Sequence, residues 1–212
     1  MIRPLRYVAL GDSYTIGTAL SDPSDRWPDQ LVARCVQDDG TPRLQLVANL
    51  GVNGYTSRDV IERELPQLAT HEPEFASILV GVNDVVQGVA AADYEANAAT
   101  ILDALLARLP PDRVVALATP DYTVTPQGAD YGDPAVQSAG IRRNNAILQR
   151  LAADRGIAFV DIHDLSLQAA ENRALVAHDG LHPSGDQYGL WVEACVPVVQ
   201  RLLVRPSAQR SA

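Results

Sequence analysis

The stretch YVALGDSYTIG, residues 7–17, decides how this 212-residue chain is read. Its opening, YVAL, is an unbroken apolar run of the kind required by a strand buried on both faces. The run breaks at Gly11 into a turn carrying Asp12 and Ser13. A serine just past a strand has three readings: the cap of the next helix, a hydroxyl cradling a phosphate, or a nucleophile.

Working outward, the same kind of run returns as LQLVANLG (44–51), FASILVGVND (75–84), RVVALATP (113–120) and IAFVDI (157–162). Between the runs lie helical patterns. One is expected over 25–39, with Asp25 as cap and Pro28 in its first turn. Another starts at Ser57 and carries Val60, Ile61, Leu65 and Leu68 on one stripe. Helices over 93–109 and 134–155 follow, and a last one begins near Ser184. Five apolar strands alternating with helices imply an α/β fold with a parallel sheet covered on both faces. One domain over 1–204 is expected from this length, followed by a polar, disordered tail over 205–212. The longest irregular stretch, 120–134, follows the fourth strand. It falls at the carboxyl end of the sheet, where open α/β sheets bind their ligands.

Composition narrows the function classes. The net charge is −9 and all 17 basic residues are arginines, so neither nucleic acid nor an anionic membrane is an expected partner. No apolar run approaches the roughly 20 residues of a membrane span. The apolar stretch after the first arginines is too short for a signal peptide, so a cytoplasmic location is expected. Cys35 and Cys195 match no metal-ligand spacing and read as buried free thiols, with a bridge possible only if their helices are neighbours. The motif DIHD (161–164) has no second histidine at ligand spacing, and Asp161 and His163 are expected to end the fifth strand in ordinary hydrogen bonds. No metal or cofactor is implied.

The chemistry rests on what can meet Ser13. The phosphate reading finds no P-loop lysine and no G-x-G-x-x-G. GDSYT is not a G-x-S-x-G elbow either, because Thr15 stands where the second glycine belongs. A serine nucleophile needs a base, and of four histidines His182, in HDGLHPSGDQYGLW, is best placed. Asp179, three residues upstream, can reach Nδ1 and leave Nε2 to take a proton. Ser184 and Gln187 form a capping-box pattern that would start a helix immediately afterwards. An oxyanion needs donors as well, and Gly54 in NLGVNGYTS and Asn83 in GVND follow the second and third strands. Taken singly, Asp179–His182, Gly54 and Asn83 each have a plain structural reading as hydrogen-bond, turn or cap residues.

Together, GDSYTIG, NLGVNGYTS, GVND and DGLH resemble the four ordered blocks of the GDSL or SGNH hydrolases, spanning residues 7 to about 190. The resemblance implies a flavodoxin-like three-layer α/β/α fold and a serine hydrolase of esters or thioesters. Carried across, Ser13 would be the nucleophile, His182 its base and Asp179 the residue orienting His182. The Ser13 and Gly54 N–H groups and the Asn83 amide would form the oxyanion hole. Tyr14 stands where the family's name has leucine. Of Gly51 and Gly54, the donor is assigned to Gly54 because it precedes YTS.

The expected activity is therefore cleavage of a small-molecule ester, with short acyl or acetyl groups favoured by the polar character of the 120–134 loop. Lysophospholipase, thioesterase and carbohydrate acetylesterase activities are the alternatives within this chemistry. A flavodoxin-like phosphate or flavin module is the alternative outside it. Trp27, Tyr122 and Tyr131 are candidates for lining a pocket.

Overall fold

Alternation along the first strand sorts its side chains to opposite sides of one sheet, as a period of two requires. Tyr7 and Ala9 enter one buried cluster, Val8 and Leu10 the other. The computed structural model describes residues 3–204, so the expected tail over 205–212 lies outside the described residues.

In chain order, β1 (Leu5–Gly11) leads into the single-turn α1 (Ser13–Ile16), then α2 (Trp27–Arg34) and β2 (Leu44–Asn49). A helical run of mixed pitch follows: α3 (Ser57–Asp59), a π-turn (Val60–Glu64), a 3-10 turn (Leu65–Gln67) and α4 (Leu68–His71). Next come β3 (Phe75–Leu79), α5 (Val82–Val86), α6 (Ala91–Leu106) and β4 (Val114–Leu117). The chain then forms α7 (Pro134–Asp154), β5 (Ala158–Val160), α8 (His163–Leu167) and α9 (Gly185–Val204).

The five strands form one parallel sheet in the order β2-β1-β3-β4-β5. On one face, α2 and α9 pack Trp27, Leu31, Trp191 and Val192 against Tyr7, Phe75, Leu79, Val115 and Leu117. On the other, α6 and α7 pack Tyr94, Ile101, Leu105 and Leu148 against Val8, Leu10, Ile78 and Ala116. Covering both faces explains why every strand reads as an apolar run. The strand order reverses direction between β1 and β3, so the turn after β1 opens into the crevice that this topology creates.

Three expectations are corrected. The helix expected over 25–39 is only α2. Asp22 caps a separate 3-10 turn over Pro23–Asp25, Arg26 resets the backbone to an extended conformation, and no side chain caps α2. At the other end Cys35 leaves helical geometry and Val36 pairs with Pro42. Trp27 lies wholly in the core, not at a pocket. Ser184 accepts the Gln187 N–H at 3.3 Å, but the Gln187 side chain donates to the Ser166 carbonyl, so the capping box is only half formed. At the end of β5, Asp161 accepts the His163 N–H at 2.9 Å. Cys35, just past the end of α2, and Cys195 on the neighbouring α9 are buried free thiols.

Candidate active site

The turn after β1 assigns the capping role to Asp12. Its side chain accepts the Tyr14 N–H at 3.0 Å, and its carbonyl accepts from Thr15 and Ile16. Such a cap is worth about 1 kcal/mol. Ser13 is thereby the first residue of α1, its side chain free of capping and its N–H among the unsatisfied donors at a helix start. Gly11 permits the turn. Its φ is +149°, and a Cβ there would collide with the Leu79 carbonyl oxygen.

The loop after β2 is held from two sides. Thr56 caps α3 in a full capping box with Asp59. Asp84 of α5 accepts both the N–H and the hydroxyl of Ser57. Gly54 sits in this loop at φ +83°, a conformation that favours glycine, and the Gln87 amide donates to its carbonyl at 3.1 Å. Asn83, one turn away on α5, donates one amide hydrogen to the Tyr55 carbonyl at 2.9 Å. That bond fixes the amide orientation and leaves its second hydrogen available.

His182 comes from the loop before α9. Val176 pairs with Pro183, and the Ala177 N–H donates to the His182 carbonyl at 2.7 Å, closing that loop. The His182 Nδ1 lies 2.6 Å from Asp179 Oδ2, while Asp179 Oδ1 accepts the Leu181 and His182 N–H groups at 3.0 Å each. Burial pushes the Asp179 carboxyl upward. The His182 ring and the two backbone donors outweigh it, and the net pKa lies below the ordinary carboxylate value. Tyr14 packs against the imidazole with ring centroids 5.6 Å apart.

A cavity of about 240 Å³ gathers these loops. Ser13, Gly54, Asn83 and His182 all line it, with Tyr122 and Tyr131 from the loop after β4. Asp179 stands behind His182. Gly51 instead backs α1, where a Cβ would meet the Asp12 carbonyl and the Ile16 nitrogen at 2.8 Å. Ser13 and His182 face the same space without a hydrogen bond between them, a looseness common before substrate binds. Among the described residues no arginine lines the cavity.

Sequence reasoning missed the apolar lining of Val82 and Val86, because the start of α5 was read as the end of a strand, and that of Leu181 in the loop before α9. It also missed the buried acids beneath the turn. Burial foremost, with Asp84 adding, raises Asp12 to about 8, and Asp84 is itself raised by burial despite its bonds to Ser57. The i, i+4, i+8 spacing of Val60, Glu64 and Leu68 was the available signal for Glu64.

Residues 9–190 match the family model described as GDSL-like Lipase/Acylhydrolase family. Solved structures share the fold. LAE5, an alpha/beta hydrolase enzyme from the metagenome of Lake Arreo, Spain, has a TM-score of 0.72 at 20% identity, covering 95% of this chain and 98% of that one. Axe2, an acetylxylan esterase from Geobacillus stearothermophilus, gives 0.67 at 18% identity, covering 95% of each chain. At these identities the likeness establishes the fold. No curated protein matches the sequence significantly. The chain belongs to the GDSL-like lipase/acylhydrolase family, whose chemistry is carboxylic ester hydrolysis.

Proposed function

From that membership we propose that Ser13 is the nucleophile of a cofactor-free esterase acting on short acyl esters, with His182 as general base and Asp179 orienting it. The observation that carries the reading is the single cavity lined by Ser13, Gly54, Asn83 and His182, with Asp179 bonded to Nδ1.

In this reading the Ser13 Oγ attacks the ester carbonyl while its proton passes to His182 Nε2. The carbonyl oxygen becomes an oxyanion held by the Ser13 N–H, the Gly54 N–H and the second hydrogen of the Asn83 amide. Collapse breaks the bond to the alcohol, which leaves with the proton from His182. A water then gives a proton to His182, attacks the acyl-enzyme and releases the acid, and the proton returns to Ser13 Oγ. Asp179, held ionised by three donors, keeps Nδ1 protonated and stabilises the imidazolium that forms in each half.

The size and lining of the cavity support a short acyl group. About 240 Å³ is below the usual range for a drug-sized ligand. Tyr122 is fixed by a bond from its hydroxyl to Gln137 at 3.0 Å, and Tyr131 packs edge-on against it with centroids 5.9 Å apart. Two tyrosines lining the cavity also suit a sugar ring, so an acetylated carbohydrate is the natural ester this reading favours for assay. Among the described residues no helix is long and apolar enough to cross a membrane. The free buried thiols fit a reducing compartment, and a cytoplasmic location is part of this reading. Ser13→Ala is expected to abolish turnover of 4-nitrophenyl acetate; retained turnover in that variant sinks the mechanism.

A further inference from the structure

We propose that Glu64 is a positioning residue for this reaction: its buried carboxyl, carried behind the nucleophile turn by the π-turn, holds the Gly11 peptide and through it the aim of Ser13. The inference rests on the reading of Ser13 as nucleophile.

Three observations converge. First, Val60, Glu64 and Leu68 form the buried stripe of their helical run, while Ile61 and Leu65 are only partly buried. A carboxyl with no exposed surface thus occupies a position where the pattern calls for hydrocarbon. Second, the helix widens at this point. The Leu65 N–H donates to the Val60 carbonyl, adding one residue to the turn, and such π-bulges concentrate at functional sites. Third, Glu64 Oε2 accepts the Gly11 N–H at 2.9 Å. Gly11 ends β1 in a conformation that tolerates no side chain, two residues before Ser13, so a shift of its peptide is carried directly into the turn.

The surroundings require the carboxyl to hold a proton. Asp12 faces it from the turn and Asp59 from α3, and neither is cationic. Behind Asp12 stand Asp84 of α5 and the Tyr94 hydroxyl of α6. Arg63, the adjacent residue, pairs instead with Asp59 at 3.4 Å. Glu64 Oε1 is buried without a hydrogen-bond partner among the described residues. An anion with one backbone donor and an acidic neighbour is strongly disfavoured, and burial first, then Asp12, raises the pKa to about 9.

Because the folded value lies above the unfolded one, the stability linked to this group is complete below about 4.5 and is lost as pH rises towards about 9. Asp12 and Asp84 contribute losses of the same sign, but they do so in wild type and in Glu64 variants alike. The difference between Glu64→Gln and wild type therefore isolates Glu64.

The experiment compares full-length wild type, Glu64→Gln and Glu64→Leu by thermal melting from pH 5 to 9 and by kcat and KM on 4-nitrophenyl acetate at pH 7. Glu64→Gln keeps an acceptor for Gly11 and is expected to stay within about twofold of wild-type kcat while gaining about 5 °C or more in Tm on wild type across that range. Glu64→Leu removes the acceptor and is expected to lose about tenfold or more in kcat with KM within about threefold. Parallel melting curves for Glu64→Gln and wild type overturn the un-ionised state. Wild-type kcat in a folded Glu64→Leu, or an equal loss in Glu64→Gln, overturns the positioning role; if Glu64→Leu does not fold, Glu64→Ala, which also lacks the acceptor, is read by the same kcat criterion. Melting does not depend on which residue is the nucleophile, so a failure of Ser13→Ala to abolish turnover is distinguishable from either result.

Discussion

Asp179 and Glu64 are carboxylic acids of one site, and their surroundings drive them to opposite states. Asp179 sits in a partly open loop where two backbone N–H groups and an imidazole face it, and its pKa is lowered. Glu64 is sealed behind the turn with a single backbone donor and Asp12 for a neighbour, and its pKa rises to about 9. In the proposed mechanism the first acts through its charge, the second through the absence of one. Net charge therefore says little about which acids work as anions. What decides is the count of donors around each carboxyl and the water left to it.

Replacing the anion should give the largest effect. Asp179→Asn keeps the shape but offers Nδ1 an amide whose donor end can select the wrong tautomer, and kcat is expected to fall about 10³–10⁴-fold. A pre-steady-state assay on 4-nitrophenyl acetate checks this, and a loss below tenfold would equate Asp179 with a structural hydrogen bond. Next in size is Asn83→Ala, which removes an oxyanion donor from a wall that Asp84 and Tyr55 hold in place. A fall of about 10²–10³ in kcat is expected with KM little changed, and an undiminished rate removes Asn83 from the hole. The smallest effect belongs to the loop after β4. Tyr131 is 43% exposed, so Tyr131→Ala should leave kcat/KM on the acetate ester within about threefold while raising the butyrate-to-acetate ratio several-fold. An unchanged ratio in a chain-length series would take Tyr131 out of the acyl wall.

The five strands were legible because each is buried on both faces, and that leaves a continuous apolar run in the sequence. The four segments around the cavity were legible through residue chemistry, Ser13, Gly54 and Asn83 past strand ends and the Asp179–His182 spacing before the last helix. What escaped depends on tertiary neighbours. Asp25 looked like a cap because Pro28 followed it, yet Asp22 and Pro23 form their own turn first. The segment 82–86 is too short for a helical period to show, so α5 and its apolar lining went unread. Trp27 looked like a loop aromatic, but α9 covers it. Glu64 reads as one more surface charge in VIEREL until the π-turn and β1 enclose it.

Active-site labelling tests the central claim most directly. A fluorophosphonate probe should add to the intact wild-type chain once, on the peptide carrying Ser13, and should leave Ser13→Ala unmodified by mass spectrometry. Labelling of Ser13→Ala at the wild-type rate, or an adduct on another residue of the active wild type, would contradict the assignment of Ser13 as the nucleophile.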